Sequence, residues 1–430
     1  MCEASYEPYD ATQLRTVYSL SKTFTSMAVG IAAGEGKIDL DEKIIDLFAA
    51  EIENGKIQVG KELDSLTVRH LLRMSTGQEK EPGGSDCWDD MVSAFLREPF
   101  HEMPGEVFRY NSIATYMLSE SLKKKGIDLE HYLEEKLLTP MGISGTRWLR
   151  DPKGICVGGF GFSLYPEVIA KLGQMILQGG IWNGIQLVPK DYIDMATSKQ
   201  IENGDDPDSD WAQGYGYQMW RCRHNAVRGD GMYGQFCIIH KETDTVLAMT
   251  AVTSDMQGEM NAYYDEVLLK YQDEPLSEDE KTMEVLKKRL NELHYVRPLP
   301  EDDGSAVPDA FKKINLSLTS FFDLSLNIEG NMLTLTGKDG EIWYRAERGC
   351  WSKISRKVHC SPFYTEKDSM DTPVIGAWGV KNGVLTIRVY EIEFLEEDTL
   401  TLTEAEDGIH VSFANTTIPS NPRDYVKKVI

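Results

Sequence analysis

Apolar residues recur at helical spacing near the start of the chain, between residues 23 and 33. The repeating positions are Phe24, Met27, Ala28 and Ile31. This spacing predicts a helix, and the scarcity of polar residues predicts that the helix is largely buried. Glycines at positions 34 and 36 end the pattern, so we expect a buried helix over residues 19–33.

Further segments with a helical pattern follow before the periodicity changes. The predicted helices are 66–72, with Thr67 as its cap, 88–96, 113–124, 170–177, 189–196 and 263–270. Strands are predicted at 215–220, 234–240 and 246–252. A helix-rich region followed by strands in series is typical of an antiparallel sheet covered by helices. We therefore predict an α/β (α+β) domain over residues 1–272.

The chain beyond residue 272 has a different pattern. Residues 273–313 combine an acidic stretch, a charged helix over 278–294 with Ser277 as its cap, and a proline-containing linker. Residues 314–430 alternate with a period of two. Strands are predicted at 324–328, 332–336, 343–345, 374–378, 384–389, 400–403 and 409–413, with turns such as Lys381-Asn382-Gly383 between them. This pattern predicts a C-terminal all-β sandwich or barrel domain.

The composition and net charge limit the classes of molecule that the protein is expected to bind. The formal net charge of −24 argues against nucleic acid and anionic membrane surfaces, and no apolar stretch is long enough to span a membrane. The seven scattered cysteines indicate reduced thiols, and no group of residues has metal-ligand spacing. The start of the chain shows no signal-peptide pattern. We therefore expect a cytoplasmic protein with a small-molecule substrate. The sequence does not indicate an oligomeric state.

The first candidate for chemistry is the pair Ser19 and Lys22, which opens the buried helix. Residues three apart on a helix share one face, so the two side chains lie within reach of each other. An amine with a lowered pKa accepts the hydroxyl proton and makes the serine a nucleophile. Ser19 would also lie at the positive end of the helix dipole. The alternative is that Ser19 or Ser21 only caps the helix and Lys22 is solvated.

The second candidate group is Tyr110 and Ser112, which follow a turn at residues 104–105 and precede a helix. A tyrosine beside a lysine-activated serine can be held as a phenolate or can relay the proton. Ser112 can donate to a substrate or orient Lys22. The alternative is that Tyr110 is a core aromatic residue and Ser112 is a helix cap.

A glycine-rich segment over residues 228–236 is the third candidate, as a strand that lines the same cleft. Gly229, Gly231 and Gly234 allow another backbone or a ligand to approach closely. A tetrahedral intermediate needs two converging N–H donors, and we predict that these are the amides of Ser19 and Met232. The alternative is that the glycines only form a hairpin bend.

These motifs, in this order, resemble those of the serine β-lactamase-related superfamily, which contains class C β-lactamases, DD-peptidases and related esterases. The matching motifs are Ser19-x-x-Lys22, Tyr110-x-Ser112 and Gly229-x-Gly231-x-x-Gly234, with supporting phrases at 66–77, 104–110 and 179–187. The resemblance covers roughly residues 6–270. It implies that Ser19 is the acylated nucleophile, Lys22 its proton acceptor and Tyr110 the general base or relay. Ser112 would take the third place of the tyrosine motif.

The chain departs from this family in three places. The third motif usually begins with Lys or His, which binds the carboxylate of penicillins and D-Ala peptides. Gly229 stands there instead, and the neighbouring Arg228 is the cation expected to compensate in part. The tyrosine motif usually ends in Asn rather than in Ser112. Relatives place a helix and two strands before the serine, whereas only 18 residues precede Ser19. We therefore expect either a truncated chain or a sheet that lacks strands and has an exposed edge.

Together these features predict a serine hydrolase that forms an acyl-enzyme with a small ester or amide and needs no metal or cofactor. A D-amino-acid peptidase is the second hydrolase interpretation. A binding or sensor protein that keeps the fold is the interpretation from another class, because the third motif is altered. The enzyme interpretation requires that Ser19 Oγ, Lys22 Nζ and the Tyr110 hydroxyl converge in a cleft.

Overall fold

The computed structural model describes residues 2–83, 85–272, 274, 279–294, 299–319, 322–337, 340, 342–358, 370–394, 396–415 and 423–427. Backbone contacts divide the chain into two compact units. Residues 16–275 form the first unit, and residues 1–15 together with 276–430 form the second. The domain boundaries expected at 272 and 313 stay a prediction.

Short and medium helices make up much of the first unit. They are α1 Ser21–Gly34, α2 Ile44–Leu47, α3 Ala49–Gly55, α4 Lys61–Ser65, α5 Val68–Leu72, α6 Ser85–Asp89, α7 Met91–Arg97, α8 Ser112–Lys124, α9 Leu129–Leu133, α10 Pro166–Leu177, α11 Lys190–Thr197 and α12 Met256–Glu266. Tighter 3₁₀ turns occur at Tyr18–Leu20, Arg223–Asn225 and Leu268–Lys270, and a π-helical turn at Glu134–Leu138 follows α9.

The first unit also contains antiparallel sheets, and the short strand β1 begins one residue before the boundary of the unit. The strands are β1 Arg15–Thr16, β2 Arg147–Trp148, β3 Phe162–Leu164, β4 Ile181–Trp182, β5 Ile185–Gln186, β6 Trp220–Arg221, β7 Val227–Gly231, β8 Gln235–His240 and β9 Thr245–Met249. The larger sheet has the order β6-β7-β8-β9, and a smaller sheet has the order β1-β3-β2. Helix α10 packs against β8 and β9. The predicted antiparallel sheet covered by helices is therefore confirmed.

Helix α1 occupies the core of the first unit, as its apolar pattern predicts. Every residue from Ser21 to Ala32 is buried, and the helix contacts α8, α9 and α11. Its small residues allow this packing, because a Cβ at Gly30 would lie 2.4 Å from the Tyr192 ring. The predicted cap of α5 is also confirmed, since Thr67 and His70 form a reciprocal capping box.

The single helix predicted over residues 88–96 is wrong, because the chain forms α6 and α7 instead. Asp90 separates them with an extended φ of −153°, and its carboxylate caps α7 by accepting from the Ser93 amide at 3.3 Å. The helix predicted over 263–270 begins earlier, at Met256, because the Asp255 carboxylate caps it by accepting from the Gly258 amide at 2.9 Å. Local capping decides both boundaries.

The strand predicted over residues 215–220 is also wrong, since only Trp220 and Arg221 form β6. Gln218 has a left-handed φ of +59°, which interrupts an extended strand. Its buried side-chain amide donates to the carbonyl oxygens of Leu71 and Leu72 at 3.1 and 2.9 Å. These tertiary bonds favour the turn over the strand.

The second unit is dominated by β-structure. Its elements are α13 Glu280–Asn291, α14 Asp309–Lys312, β10 Lys313–Thr319, β11 Phe322–Glu329, β12 Met332–Gly337, β13 Ile342–Glu347, β14 Ser352–Val358, β15 Met370–Lys381, β16 Val384–Glu391, β17 Glu396–Ala405, β18 Gly408–Asn415 and β19 Arg423–Lys427. Asp279 caps α13, while the predicted cap Ser277 lies outside the described residues.

Two antiparallel sheets of this unit share one hydrophobic core. Their orders are β10-β11-β12-β13 and β14-β15-β16-β17-β18-β19. Leu326 and Leu335 of the smaller sheet belong to the same buried cluster as Trp378 and Leu385 of the larger sheet. The Trp378 indole donates to the Ala346 carbonyl at 3.0 Å. This arrangement confirms the predicted all-β second domain.

The described cysteines Cys2, Cys87, Cys156, Cys222, Cys237 and Cys350 are free thiols, while Cys360 lies outside the described residues. The described part of the chain contains no helix with the length and apolar character of a membrane span.

Candidate active site

Ser19 lies in the 3₁₀ turn that leads directly into α1, and its side chain is half-buried. The preceding Tyr18 has a left-handed φ of +45°, which costs energy for a residue with a side chain. Neighbouring contacts hold this conformation. Ser21 Oγ donates to the Tyr18 carbonyl at 2.5 Å and accepts from the Phe162 amide at 3.2 Å. The residue at the cap position of α1 is Leu20, so neither serine caps the helix.

Lys22 is buried, with 1% of its surface exposed, so the solvated alternative is wrong. Its Nζ lies 3.1 Å from Ser19 Oγ, 3.2 Å from Ser112 Oγ and 2.7 Å from the Gly159 carbonyl oxygen. Burial lowers the pKa of Lys22 to about 7, because removal from water disfavours the charged amine. A substantial fraction of this amine is therefore neutral at neutral pH.

The Tyr110 hydroxyl also reaches Ser19 and is hydrogen-bonded to its side chain. The centroid of the Tyr110 ring lies 4.8 Å from Lys22 Nζ. The ring also stacks on that of Trp220, with the two centroids 5.6 Å apart and 21° between the planes. Burial, aided by the charge of Asp230, raises the pKa of Tyr110. Tyr110 is consequently a neutral phenol at neutral pH, the residue is half-buried, and its hydroxyl is directed at Ser19.

Ser112 is the first residue of α8, but it is not the cap. Asn111 takes that place, and its side-chain oxygen accepts from the Ala114 amide at 3.0 Å. The Ser112 hydroxyl can therefore contact Lys22. Gly159 approaches closely on the other side, since a Cβ there would lie 2.8 Å from the Ser112 carbonyl oxygen.

Strand β7 packs directly against the turn that holds Ser19. A Cβ at Gly229 would lie 2.4 Å from Leu20 Cδ1, and one at Gly231 would lie 2.2 Å from the Val17 carbonyl oxygen. Only glycine allows this approach. Gly234 does form the hairpin bend, with φ of +92°, so the bend accounts for one glycine of the motif and close packing for the other two.

Met232 lies in the turn after β7 rather than on the predicted strand, and its side chain is 54% exposed. The turn is held by Gln235, whose amide nitrogen donates to the Met232 carbonyl at 3.1 Å and to the Ala251 carbonyl at 2.6 Å. The structure thus places the Met232 backbone one residue beyond the contact between Gly231 and Val17.

The expectation that Arg228 compensates for the missing cation is wrong. Arg228 is fully buried. Its Nε and Nη2 each lie 2.8 Å from Asp230 Oδ2, and its Nη1 donates to the Asp210 carbonyl at 2.7 Å. The guanidinium also lies 4.4 Å from the centroid of the Trp211 ring. These contacts hold the charge inside the fold, where a substrate carboxylate cannot reach it.

Sequence reasoning missed three parts of the site. The Gly159 carbonyl has one indirect signal, the Gly158-Gly159 pair, which allows close backbone approach. The neighbours of Trp220 and Asp230 are set by the tertiary fold, so no local sequence pattern identifies these two residues. Among the described residues, no three His, Cys, Asp or Glu side chains are grouped as metal ligands.

Several solved structures share this fold. A protein assigned as a 6-aminohexanoate-dimer hydrolase from Bacillus anthracis is 20% identical, with a TM-score of 0.52, and the alignment covers 62% of this chain and 75% of that one. The octameric penicillin-binding protein homologue from Pyrococcus abyssi is 16% identical, with a TM-score of 0.50 and coverage of 91% and 87%. Simvastatin synthase (LovD) from Aspergillus terreus is 15% identical, with a TM-score of 0.50 and coverage of 62% and 86%.

At these identities the likeness shows the fold alone. No curated protein is detectably similar in sequence. The Beta-lactamase family, however, matches residues 3–270, which include Ser19, Lys22, Tyr110 and strand β7. The resemblance inferred from the motifs is confirmed: the chain belongs to the Beta-lactamase family.

Proposed function

We propose that the protein is a serine hydrolase that forms an acyl-enzyme at Ser19 with a small ester or amide. The observation that supports this most strongly is the environment of Lys22. A buried amine with a pKa near 7 lies 3.1 Å from the Ser19 hydroxyl, and a general base is most effective when its pKa is near the working pH.

The three neighbours of Lys22 Nζ can be satisfied by either form of the amine, and they leave the lone pair of the neutral form for Ser19. A neutral amine has two N–H donors and one lone pair, and Lys22 Nζ has three neighbours within hydrogen-bond distance. The Gly159 carbonyl only accepts, so it takes one N–H. Ser112 Oγ takes the other, and the lone pair is then directed at the Ser19 hydroxyl. Ser112 thereby orients the base.

The proposed acylation follows from these positions. Ser19 Oγ attacks the substrate carbonyl while its proton passes to Lys22 Nζ, and a tetrahedral intermediate forms. Its collapse breaks the bond to the leaving alcohol or amine, which takes a proton from the Tyr110 hydroxyl, and the Lys22 proton restores the phenol. Water then attacks the acyl carbon while one of its protons passes to the pair Lys22 and Tyr110. The bond between the acyl carbon and Ser19 Oγ breaks, Oγ takes that proton back, and the carboxylic acid leaves.

The oxyanion of the intermediate needs converging donors. The amides of Ser19 and Met232 stay our proposal for this role. The close contact of Gly231 with Val17 supports it, because it holds the end of β7 beside the serine turn. Gln235 restrains the turn that contains Met232, which limits movement of that amide.

The substrate proposal follows from the third motif. Gly229 has no side chain, and Arg228 is buried and paired. Neither residue can bind the carboxylate of a penicillin or a D-Ala peptide. We therefore favour a small ester or amide over the D-amino-acid peptidase interpretation.

Labelling with a fluorophosphonate, followed by intact-protein mass spectrometry, tests the proposal. We expect one adduct in the wild type and none in Ser19→Ala. Ser198→Ala is the matched control, because Ser198 is exposed and its hydroxyl donates to the Met195 carbonyl at the end of α11; this variant should still be labelled. Folded wild-type protein without an adduct would favour the binding or sensor interpretation.

A further inference from the structure

Two tyrosines meet beside the candidate nucleophile. Tyr18 directly precedes Ser19 in the chain, and Tyr233 directly follows Met232 in the turn after β7. The centroids of the two tyrosine rings are 5.5 Å apart, with 81° between the planes, which is the edge-to-face contact that aromatic rings favour. This tyrosine pair, Tyr18 and Tyr233, joins the serine turn to the turn after β7.

Both members of the tyrosine pair have an uncommon backbone conformation. Tyr18 has a φ of +45° and Tyr233 a φ of +66°, in the left-handed region that residues with large side chains seldom adopt. The Tyr18 carbonyl accepts from Ser21 Oγ at 2.5 Å, and the Tyr233 carbonyl accepts from the Thr253 amide at 3.2 Å. These bonds hold the backbone that carries each ring, so the pair is formed before any substrate binds.

The tyrosine pair leaves apolar surface open next to Ser19. Tyr18 and Tyr233 are each only half-buried, and the Met232 side chain between Tyr233 and β7 is 54% exposed. A ligand with an apolar group would cover part of this surface and remove it from water, which is favourable. Aromatic rings and a thioether also make favourable contacts with a further aromatic ring.

The tyrosine pair and Tyr110 lie towards opposite ends of β7. Tyr110 stacks on Trp220, which pairs with Arg228 near the start of the strand. Tyr233 follows the end of the strand at Gly231, and successive strand residues advance by about 3.3 Å. In the proposed reaction the leaving group takes its proton from Tyr110, so it lies towards the start of β7. The acyl group then extends towards the tyrosine pair.

We infer that Tyr18 and Tyr233 form a wall that contacts the acyl group of the substrate, and that this wall selects aromatic or other bulky apolar acyl groups over short ones. The inference rests on the proposed serine hydrolase function and names the substrate class for it. The two tyrosines determine specificity and take no part in proton transfer.

Two 4-nitrophenyl esters test this selectivity, one with a 3-phenylpropanoyl group and one with an acetyl group. Because the leaving group is the same, the ratio of their kcat/KM values reports on the acyl group. We expect the wild type to favour the 3-phenylpropanoyl ester by roughly tenfold or more, since the larger group buries more apolar surface against the wall.

Variants assign the effect to the tyrosine pair. Tyr233→Asn removes one ring without adding backbone strain, because asparagine adopts left-handed φ more readily than most residues. We expect it to reduce the ratio by roughly fivefold, and Tyr18→Asn should act in the same way. Tyr233→Phe keeps the ring and should keep the wild-type ratio. Tyr271→Ala removes a tyrosine that is 51% exposed near the end of the first unit and is the matched control, with both activities unchanged.

The outcomes separate selectivity from structural damage and from the proposed function. A structural defect lowers kcat/KM for both esters in proportion, so an unchanged ratio in folded Tyr233→Asn and Tyr18→Asn would overturn the role of the pair. A wild-type ratio of one or less would overturn the selectivity even if no variant folds. In either case, Ser19-dependent hydrolysis of the acetyl ester would leave the serine hydrolase proposal standing. If neither ester is hydrolysed and Ser19 takes no fluorophosphonate, both proposals fail together.

Discussion

Gly231 lies directly against the carbonyl of Val17, so close that a Cβ on Gly231 would be 2.2 Å from that oxygen. The contact joins the end of β7 to the backbone two residues before Ser19. It fixes the separation between the proposed nucleophile and the turn that contains Met232. The Val17 oxygen is a backbone atom and a Cβ is bonded directly to the backbone, so neither atom can rotate away from the other.

Gly231→Ala should therefore damage both stability and activity. We expect a loss of about 1–3 kcal/mol in the free energy of unfolding, as for other overpacked sites. The rate of fluorophosphonate labelling should fall by roughly 100-fold, because misplacement of catalytic groups by about 1 Å has effects of that size. Chemical denaturation and labelling kinetics measure the two effects.

Gly83→Ala is the control for this substitution. A Cβ at Gly83 would meet nothing within 4 Å, and the backbone there is not left-handed. If folded Gly231→Ala is labelled at the wild-type rate, the contact with Val17 does not position the site.

The pH dependence of Ser19 labelling should follow the Lys22 amine. Burial lowers the pKa of Lys22 to about 7, and only the neutral amine accepts the serine proton. The labelling rate should therefore rise with pH and level off above about pH 8, with an apparent pKa near that of Lys22. Lys22→Arg should lower the rate by roughly 1000-fold, because arginine stays protonated.

Glu81→Gln provides an internal check on this assignment. Glu81 favours the protonated form of Lys22, so its neutralisation should move the midpoint of the pH profile to lower pH. A midpoint unchanged in Glu81→Gln, or a profile that falls as pH rises, would assign the titration to another group.

Trp220 should matter for activity through Tyr110. The two rings are stacked at 5.6 Å, and aromatic pairs of this kind contribute about 0.5–1.5 kcal/mol. Trp220→Leu should leave the phenol less well oriented and reduce kcat/KM for a neutral ester by roughly tenfold. Trp182→Leu, in the β4–β5 hairpin, is the control. Equal activities of the two variants would contradict a positioning role for Trp220.

Glu259 should make stability depend on pH near neutrality. Its carboxylate packs against the β7–β8 turn, where a Cβ on Gly234 would lie 2.2 Å from Oε2. Burial, with a contribution from Asp255, raises the pKa of Glu259 to about 7. The folded protein therefore binds more protons than the unfolded chain between the ordinary glutamate pKa and about pH 7. Stability from this group is lost as pH rises through that window.

Glu259→Gln should remove this dependence. Relative to wild type, the variant should gain stability between about pH 5 and pH 8, measured as the melting temperature at each pH. Glu266→Gln lies on the same helix, α12, with an exposed side chain, and should follow the wild-type curve. Parallel curves for Glu259→Gln and wild type would show that Glu259 is not the titrating group.

The sequence predicted the parts of the site that depend on short spacing. Ser19 and Lys22 are three residues apart at the start of a helix, and Tyr110 and Ser112 flank the cap of another. Local geometry brings each pair together, so a motif in the sequence is enough to find it. Gly229 and Gly231 were found for the same reason, since glycines mark close approach.

The parts that were missed depend on distant segments of the chain. Contacts with Asp210, Asp230 and Trp211 hold Arg228 inside the fold, and no local pattern contains all three residues. Met232 was expected on a strand because it lies within the glycine-rich segment 228–236, but the strand ends at Gly231 and a turn with left-handed Tyr233 and Gly234 follows. Such turns follow from tertiary packing as much as from residue type.

The Gly159 carbonyl that holds Lys22 has a consequence for turnover. A carbonyl oxygen accepts a hydrogen bond from an amine and from an ammonium ion alike, so this 2.7 Å contact persists when the charge on Lys22 changes. In the proposed reaction, the lysine gains a proton and gives it up again within each half-reaction without leaving its place. The base would therefore be ready for hydrolysis of the acyl group by proton movement alone, with no rotation of its side chain.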